Sequence, residues 1–275
     1  MPQSFGPFDW GEKDDSAFTE EMKKELSYPL KIYAREHEGY ECLTSLGLAN
    51  VELSADMVIR EKHFPEAHQI LVQKSNAATE LPIKNSVGFI INKNVFRKGE
   101  GSDVLDLYAE LLRKLLANGE QVYILCTSTA DTDLATQIVS RTKSDQKVNI
   151  ISGEYSSPDL IDIIAQFKYV VASRYHSVVF AYRSGVPAVI LGWAKKYDDL
   201  AALFQQQEYV FDIRNLAPEQ ILKGVEKMGS NYRDEAVRIK GCLEGLQADS
   251  VVRQAVHVLD CDQLNHPENV VSAVR

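Results

Sequence analysis

No apolar run in the 275 residues approaches the ~20 needed to span a bilayer. The first ten residues, MPQSFGPFDW, lack a basic segment followed by an apolar stretch, so no signal peptide is expected. Cysteine is scarce: Cys42, Cys126, Cys242 and Cys261 are scattered, and no pair has Cys-x-x-Cys spacing. That argues against a disulfide frame and a zinc site, and for reduced thiols in an intracellular protein. An excess of positive charge is also missing, with 30 Lys and Arg against 39 Asp and Glu and a formal net charge of −9. A general nucleic-acid binder would need a basic face. A small anionic ligand stays open, because a local cluster of cations can work inside an acidic protein. These absences point to a soluble, cytoplasmic chain.

What is present is a repeated alternation. Residues 86–91 (SVGFII) read as a short apolar strand ending at the polar Asn92, Lys93 and Asn94. Ser102 then starts a helix whose Leu105, Tyr108, Leu111, Leu112 and Leu115 keep helical spacing, and Gly119 stands just past its end. Residues 121–126 give a second strand, 131–143 a helix and 147–152 a third strand. Ser157 and Pro158 open a further helix with Asp159 in its first turn. The strand YVVA, a helix over about 176–184 stopped by Gly185, the strand PAVIL and a helix from near Tyr197 follow. Continuous apolar strands, each followed by an amphipathic helix, indicate a parallel sheet covered on both faces. The expected fold is α/β, with a Rossmann-like domain over residues 86–212.

The flanks differ from this core. Residues 1–64 hold one helix (18–26), a strand (30–34), a helix near 38–46 and a strand around 51–53, and read as a partial N-terminal α/β lobe. Residues 65–85, polar and containing Pro82, read as a linker, and 213–275 as C-terminal helices packing on the lobes. Apolar faces left uncovered by a partial lobe would favour association, so a homo-oligomer is compatible with the sequence.

The most informative stretch is the end of the strand before residue 173. Ser173, Arg174, Tyr175, His176 and Ser177 run from that strand directly into a helix. In open parallel sheets ligands bind beyond the carboxyl ends of the strands, and helix N-termini favour anions. Arg174 can grip an anion through a bidentate fork, and His176 can move a proton or share negative charge. Lys195 and Lys196 follow the next strand at the same edge. An ordinary polar turn, with a solvated arginine and a capping histidine, accounts for these residues equally well.

The same stretch resembles polysaccharide pyruvyl transferases. The pattern is Ser173-Arg174-Tyr175-His176, Gly185-Val186-Pro187, and Trp193 followed by Lys196. QSFGPF (Gln3 to Phe8), the Arg35-Glu36 pair and Asp56 resemble features of that family's first domain. Many relatives carry an arginine where this chain has Asn92, and often a serine where Gly39 stands. Relatives also have a longer first lobe, so the resemblance implies that the start of this lobe is lacking.

The resemblance implies a two-domain GT-B-type architecture and transfer of pyruvate from phosphoenolpyruvate onto a sugar as a ketal. It assigns His176 and Arg174 to catalysis and Ser173, Arg174, Ser177, Lys196 and Asn92 to the donor anion. Arg35 and Glu36 are the expected contributors from the N-terminal lobe. No metal and no cofactor beyond the donor substrate is implied. The acceptor would be a sugar or lipid-linked oligosaccharide, met in the cytoplasm or at the inner face of the membrane. Two alternatives stay open. One is a GT-B-type glycosyltransferase using a nucleotide sugar, with Glu154 on the ribose. The other is a truncated relative that binds anions or glycans without turnover.

Overall fold

The computed structural model describes residues 2–5, 16–63, 81–98, 101–215 and 217–265. Two compact units divide the chain: Met1–Lys62 with Gly245–Arg275, and His63–Glu244. Residues 65–80 of the expected linker lie outside the described residues.

The first unit contains α1 (Ser16–Ser27), β1 (Ile32–Ala34), α2 (His37–Ser45), β2 (Val51–Leu53) and the single turn α3 (Met57–Arg60). β1 and β2 pair in parallel, with Tyr33 opposite Glu52, and Gln3 adds a parallel bridge to Ala34. Ile32, Ala34, Leu43 and Leu48 form a small apolar core. Gly39 lies against the backbone of Phe5, where an added Cβ would stand 3.0 Å from the Phe5 carbonyl oxygen. α3 was not expected from the pattern, because four residues are too few to show a helical period. It forms because the Asp56 carboxylate accepts the Val58 N–H at 3.0 Å, satisfying a donor that the first turn leaves open.

The second unit is built on six parallel strands: β3 (Ser86–Ile90), β4 (Val122–Cys126), β5 (Asn149–Ser152), β6 (Phe167–Ala172), β7 (Ala188–Gly192) and β8 (Val210–Asp212). The spatial order is β5-β4-β3-β6-β7-β8. The chain winds outward from β3 in one direction, then crosses back to β6 and winds outward in the other. This is the doubly wound arrangement, and its switch point lies between β3 and β6. β3, β4 and β7 are buried along their whole length, which is why they read as continuous apolar runs rather than alternating ones. Gly88 lets β3 sit under the Phe167 ring, where an added Cβ would come within 2.5 Å of a ring carbon.

The connecting helices are α4 (Lys93–Lys98), α5 (Gly101–Ala117), α6 (Thr132–Thr142), α7 (Ser157–Ile164), α8 (Tyr175–Arg183) and α9 (Lys196–Leu203). α4 corrects the reading of 92–94 as a plain polar strand end. Asn92 caps it, with Oδ1 accepting the Asn94 N–H at 3.0 Å. α5 buries Leu107, Tyr108, Leu111, Leu112 and Leu115 on one stripe and stops at Gly119, which has a positive φ of 78°. α7 is capped one residue earlier than expected, by Ser156, whose N–H donates to Asp159 Oδ2 at 2.9 Å. The C-terminal segment, expected to be helical, holds two helices, α10 (Pro218–Gln247) and α11 (Val251–Asn265). No helix among the described residues is long and apolar enough to cross a membrane.

Candidate functional site

All six strands are parallel, so their carboxyl ends share one edge of the sheet, and four of them deliver polar residues there. β3 ends in Asn92 and Lys93, β4 leads through a 3-10 turn (Thr129–Asp131), β6 ends in Ser173 and Arg174, and β7 ends before Trp193, Lys195 and Lys196. The ends of β3 and β6 flank the switch point, where side chains can enter a crevice between diverging connections.

Ser173 anchors this edge. It has no exposed surface, and its hydroxyl donates to the Ile90 carbonyl at 3.3 Å and accepts the Tyr108 hydroxyl at 3.1 Å. Its carbonyl accepts the Tyr197 hydroxyl at 3.0 Å and Asn92 Nδ2 at 3.4 Å. Burial pushes the Tyr108 and Tyr197 phenols well above the ordinary tyrosine range, so both remain donors. Ser173 and Asn92 are therefore brought together, but by bonds to each other and to the scaffold.

Arg174 is the N-cap of α8 with extended backbone angles (φ −113°, ψ 120°). Its carbonyl accepts the Ser177 N–H at 3.0 Å, which starts the helix. Its guanidinium Nη2 donates to Asp131 Oδ2, and the other Asp131 oxygen accepts the Lys93 N–H at 3.0 Å. Asp131 is completely buried, whereas 30% of the Arg174 side chain is exposed. The Arg174 Nε is enclosed and makes no hydrogen bond.

His176, in the first turn of α8, is exposed, and its ring meets Tyr175 edge-on with centroids 5.6 Å apart. Ser177 is buried in the same turn. Lys196 begins α9 half-buried, its Nζ 5.3 Å from the centre of the Tyr175 ring, close enough for a cation–π contact. Tyr175 in turn packs on Tyr197, which packs on Trp193. An aromatic ladder thus ties the end of β6 to the end of β7, with His176 and Lys196 both at Tyr175. Glu154, after β5, is exposed.

Arg35 and Glu36 belong to the first unit and form a cluster of their own at the carboxyl end of β1. Arg35 donates from Nε to Glu36 Oε1 and from Nη1 to Asp56 Oδ2, both at 2.9 Å. All three side chains are largely enclosed, and Glu36 Oε2 has no partner. Such a charge set is held only because each carboxylate is paired with the guanidinium.

Three residues of the edge escaped the sequence reading. Asp131 looks like any acid at a helix start, and its role as the partner of Arg174 has no local signature. Tyr108 fits the apolar stripe of α5, and Tyr197 reads as the first residue of a helix. Cys126, next to this edge, is buried, and its thiol is pushed up to about 11 by burial and then by the Asp131 charge. Among the described residues no group of three or more His, Cys, Asp or Glu is placed to hold a metal ion.

The sequence pattern described as polysaccharide pyruvyl transferase matches residues 1–195. No curated protein matches the chain. Among solved structures, S. aureus MnaA in a complex with UDP superposes with a TM-score of 0.59 at 10% identity, covering 94% of this chain and 66% of that one. UDP-GlcNAc 2-epimerase from Neisseria meningitidis bound to UDP-GlcNAc gives 0.56 at 12%, covering 86% and 62%. A TarM variant of S. aureus, in complex with fondaparinux, alpha-GlcNAc-glycerol and UDP, gives 0.53 at 13%, covering 90% and 48%. The chain therefore spans about half to two thirds of the length of the structures it matches. The shared fold is of GT-B type, as expected from the sequence.

Proposed function

The chain belongs to the polysaccharide pyruvyl transferase family, and we propose that it moves a pyruvyl group from phosphoenolpyruvate to a sugar of a cell-surface polysaccharide, forming a ketal. The observation that supports this reading is that Arg174, His176 and Lys196 all follow the carboxyl ends of β6 and β7, with His176 and Lys196 both at the ring of Tyr175, the residue next to Arg174. Phosphoenolpyruvate carries a carboxylate and a phosphate, and several cations with a helix N-terminus suit it.

The chemistry requires a sugar hydroxyl to add to C2 of the enol while C3 takes a proton. A second hydroxyl of the same sugar then displaces phosphate, leaving a cyclic ketal and inorganic phosphate. A general acid for C3 and stabilisation of the leaving phosphate are both needed. Arg174 takes an anionic group of the donor, since its fork is permanently charged. His176, exposed at the helix start, supplies proton transfer or phosphate stabilisation, and Lys196 adds charge from the neighbouring strand end. Ser173 and Asn92 act by holding the strand ends, since their polar groups are already engaged.

The test is calorimetric titration of the full chain with phosphoenolpyruvate, UDP-GlcNAc and a GDP-sugar, followed by an assay for phosphate release with a sugar acceptor. Binding of phosphoenolpyruvate with acceptor-dependent phosphate release is expected. Binding of a nucleotide sugar alone would replace this reading with a glycosyltransferase-type one.

A further inference from the structure

Asp131 has no exposed surface, yet both of its oxygens are engaged by groups arriving from other strand ends. Oδ1 accepts the Lys93 N–H after β3, and Oδ2 accepts the Arg174 guanidinium after β6. Its own backbone is fixed as well, its N–H donating to the Ser128 carbonyl at 3.0 Å in the turn after β4. A buried carboxylate is costly to hold unless paired and hydrogen-bonded. Arg174 is different in kind, being anchored in the interior at one corner and exposed at the other.

We propose that Asp131 is the positioning residue of the anion site, clamping one corner of the Arg174 guanidinium so that the part of it left exposed faces the ligand from a fixed place. This rests on Arg174 being a ligand-binding residue, as read above. An arginine held this way loses less rotamer freedom when the ligand arrives. It also cannot fold away toward solvent. The carboxylate offsets the charge of the guanidinium, so Arg174 contributes geometry while Lys196 and the start of α8 contribute net positive field. Asp131 reaches no ligand itself.

Asp131→Asn separates this role from a purely structural one. The amide oxygen can still accept the Lys93 N–H, so the tie between β3 and β4 survives. The amide nitrogen cannot accept from Arg174, so the guanidinium loses its anchor. Full-length wild type, Asp131→Asn, Arg174→Ala and the double variant are titrated with inorganic phosphate, phosphoenolpyruvate and UDP. Asp131→Asn is expected to weaken whichever of these wild type binds by about 10- to 100-fold, the loss seen when outer partners of a binding residue are removed. The double variant is expected to bind no more weakly than Arg174→Ala alone, since both changes remove one function. Unchanged affinity in Asp131→Asn, or losses that simply add, would overturn the proposal, as would a wild type that binds none of the three. Binding of UDP but not phosphoenolpyruvate would remove the pyruvyl reading while leaving the comparison at 131 and 174 intact. If Asp131→Asn does not fold, Asp131→Glu keeps the charge, moves the carboxylate by one methylene and takes its place in the same comparison.

Discussion

Arg174 and Asp131 stand 43 residues apart in the chain, yet their side chains share a hydrogen bond across the ends of two strands separated by β3. The pair joins a partly exposed cation to a fully buried acid.

Arg174→Ala should weaken phosphoenolpyruvate binding by about 2–4 kcal/mol, because it removes one member of a partly desolvated charge pair and leaves Asp131 buried without its cation. Arg174→Lys should recover only part of the loss, since an ammonium cannot reproduce the fork. Titration calorimetry on the three proteins checks this, and unchanged affinity in the alanine variant would reject Arg174 as a donor ligand.

His176→Ala should act on turnover more than on binding. If the imidazole transfers a proton, kcat falls by roughly 10²–10⁴-fold with a small change in donor affinity. The exposed position of His176 predicts little effect on folding, so a matching thermal midpoint isolates the chemical effect. A variant that loses binding and turnover equally would make His176 an anion ligand instead.

Tyr197→Phe removes the hydroxyl that the Ser173 carbonyl accepts at 3.0 Å. Urea unfolding should show a loss of about 1 kcal/mol, the usual net worth of one hydrogen bond. The loss stays modest because Asn92 Nδ2 still reaches that carbonyl. Gly192→Ala should do more damage, because an added Cβ would meet the Tyr197 ring at 2.8 Å and displace the ring that carries the hydroxyl. Overpacking of this kind costs about 1–3 kcal/mol. An alanine variant as stable as wild type would mean that the ring moves freely.

Alkaline conditions should destabilise the fold, beginning with Cys126. Its thiol is raised from an ordinary value of 9.0 to about 11 by burial and the neighbouring Asp131 charge. Between these values the unfolded chain has lost the proton while the folded chain keeps it, so stability is fully present below pH ~9 and falls as pH rises toward ~11. The buried phenols of Tyr108, Tyr182 and Tyr197 are also raised and act in the same direction at higher pH. Unfolding free energy measured from pH 8 to 10 should decline in wild type and decline less in Cys126→Ala. An equal slope in both would locate the titration elsewhere.

The alternation of buried strand and amphipathic helix in residues 86–212 was determined by the sequence itself, because periodicity, caps and stop residues such as Gly119 and Gly185 act within a few neighbours. The turn from Ser173 to Ser177 was legible for the same reason, as was the family, since its pattern is a string of nearby residues. Short elements were less visible: α4 and α3 each rest on one side-chain cap, at Asn92 and at Asp56, rather than on a repeating pattern. What only the tertiary structure decided was which polar groups meet. Asp131 reaches Arg174, and Tyr108 and Tyr197 reach Ser173, because the order β5-β4-β3-β6-β7-β8 brings the ends of β3, β4, β6 and β7 to one edge. A hydrogen bond across 43 or 65 residues depends on that order and on burial, and neither is encoded in the residues next to the bond.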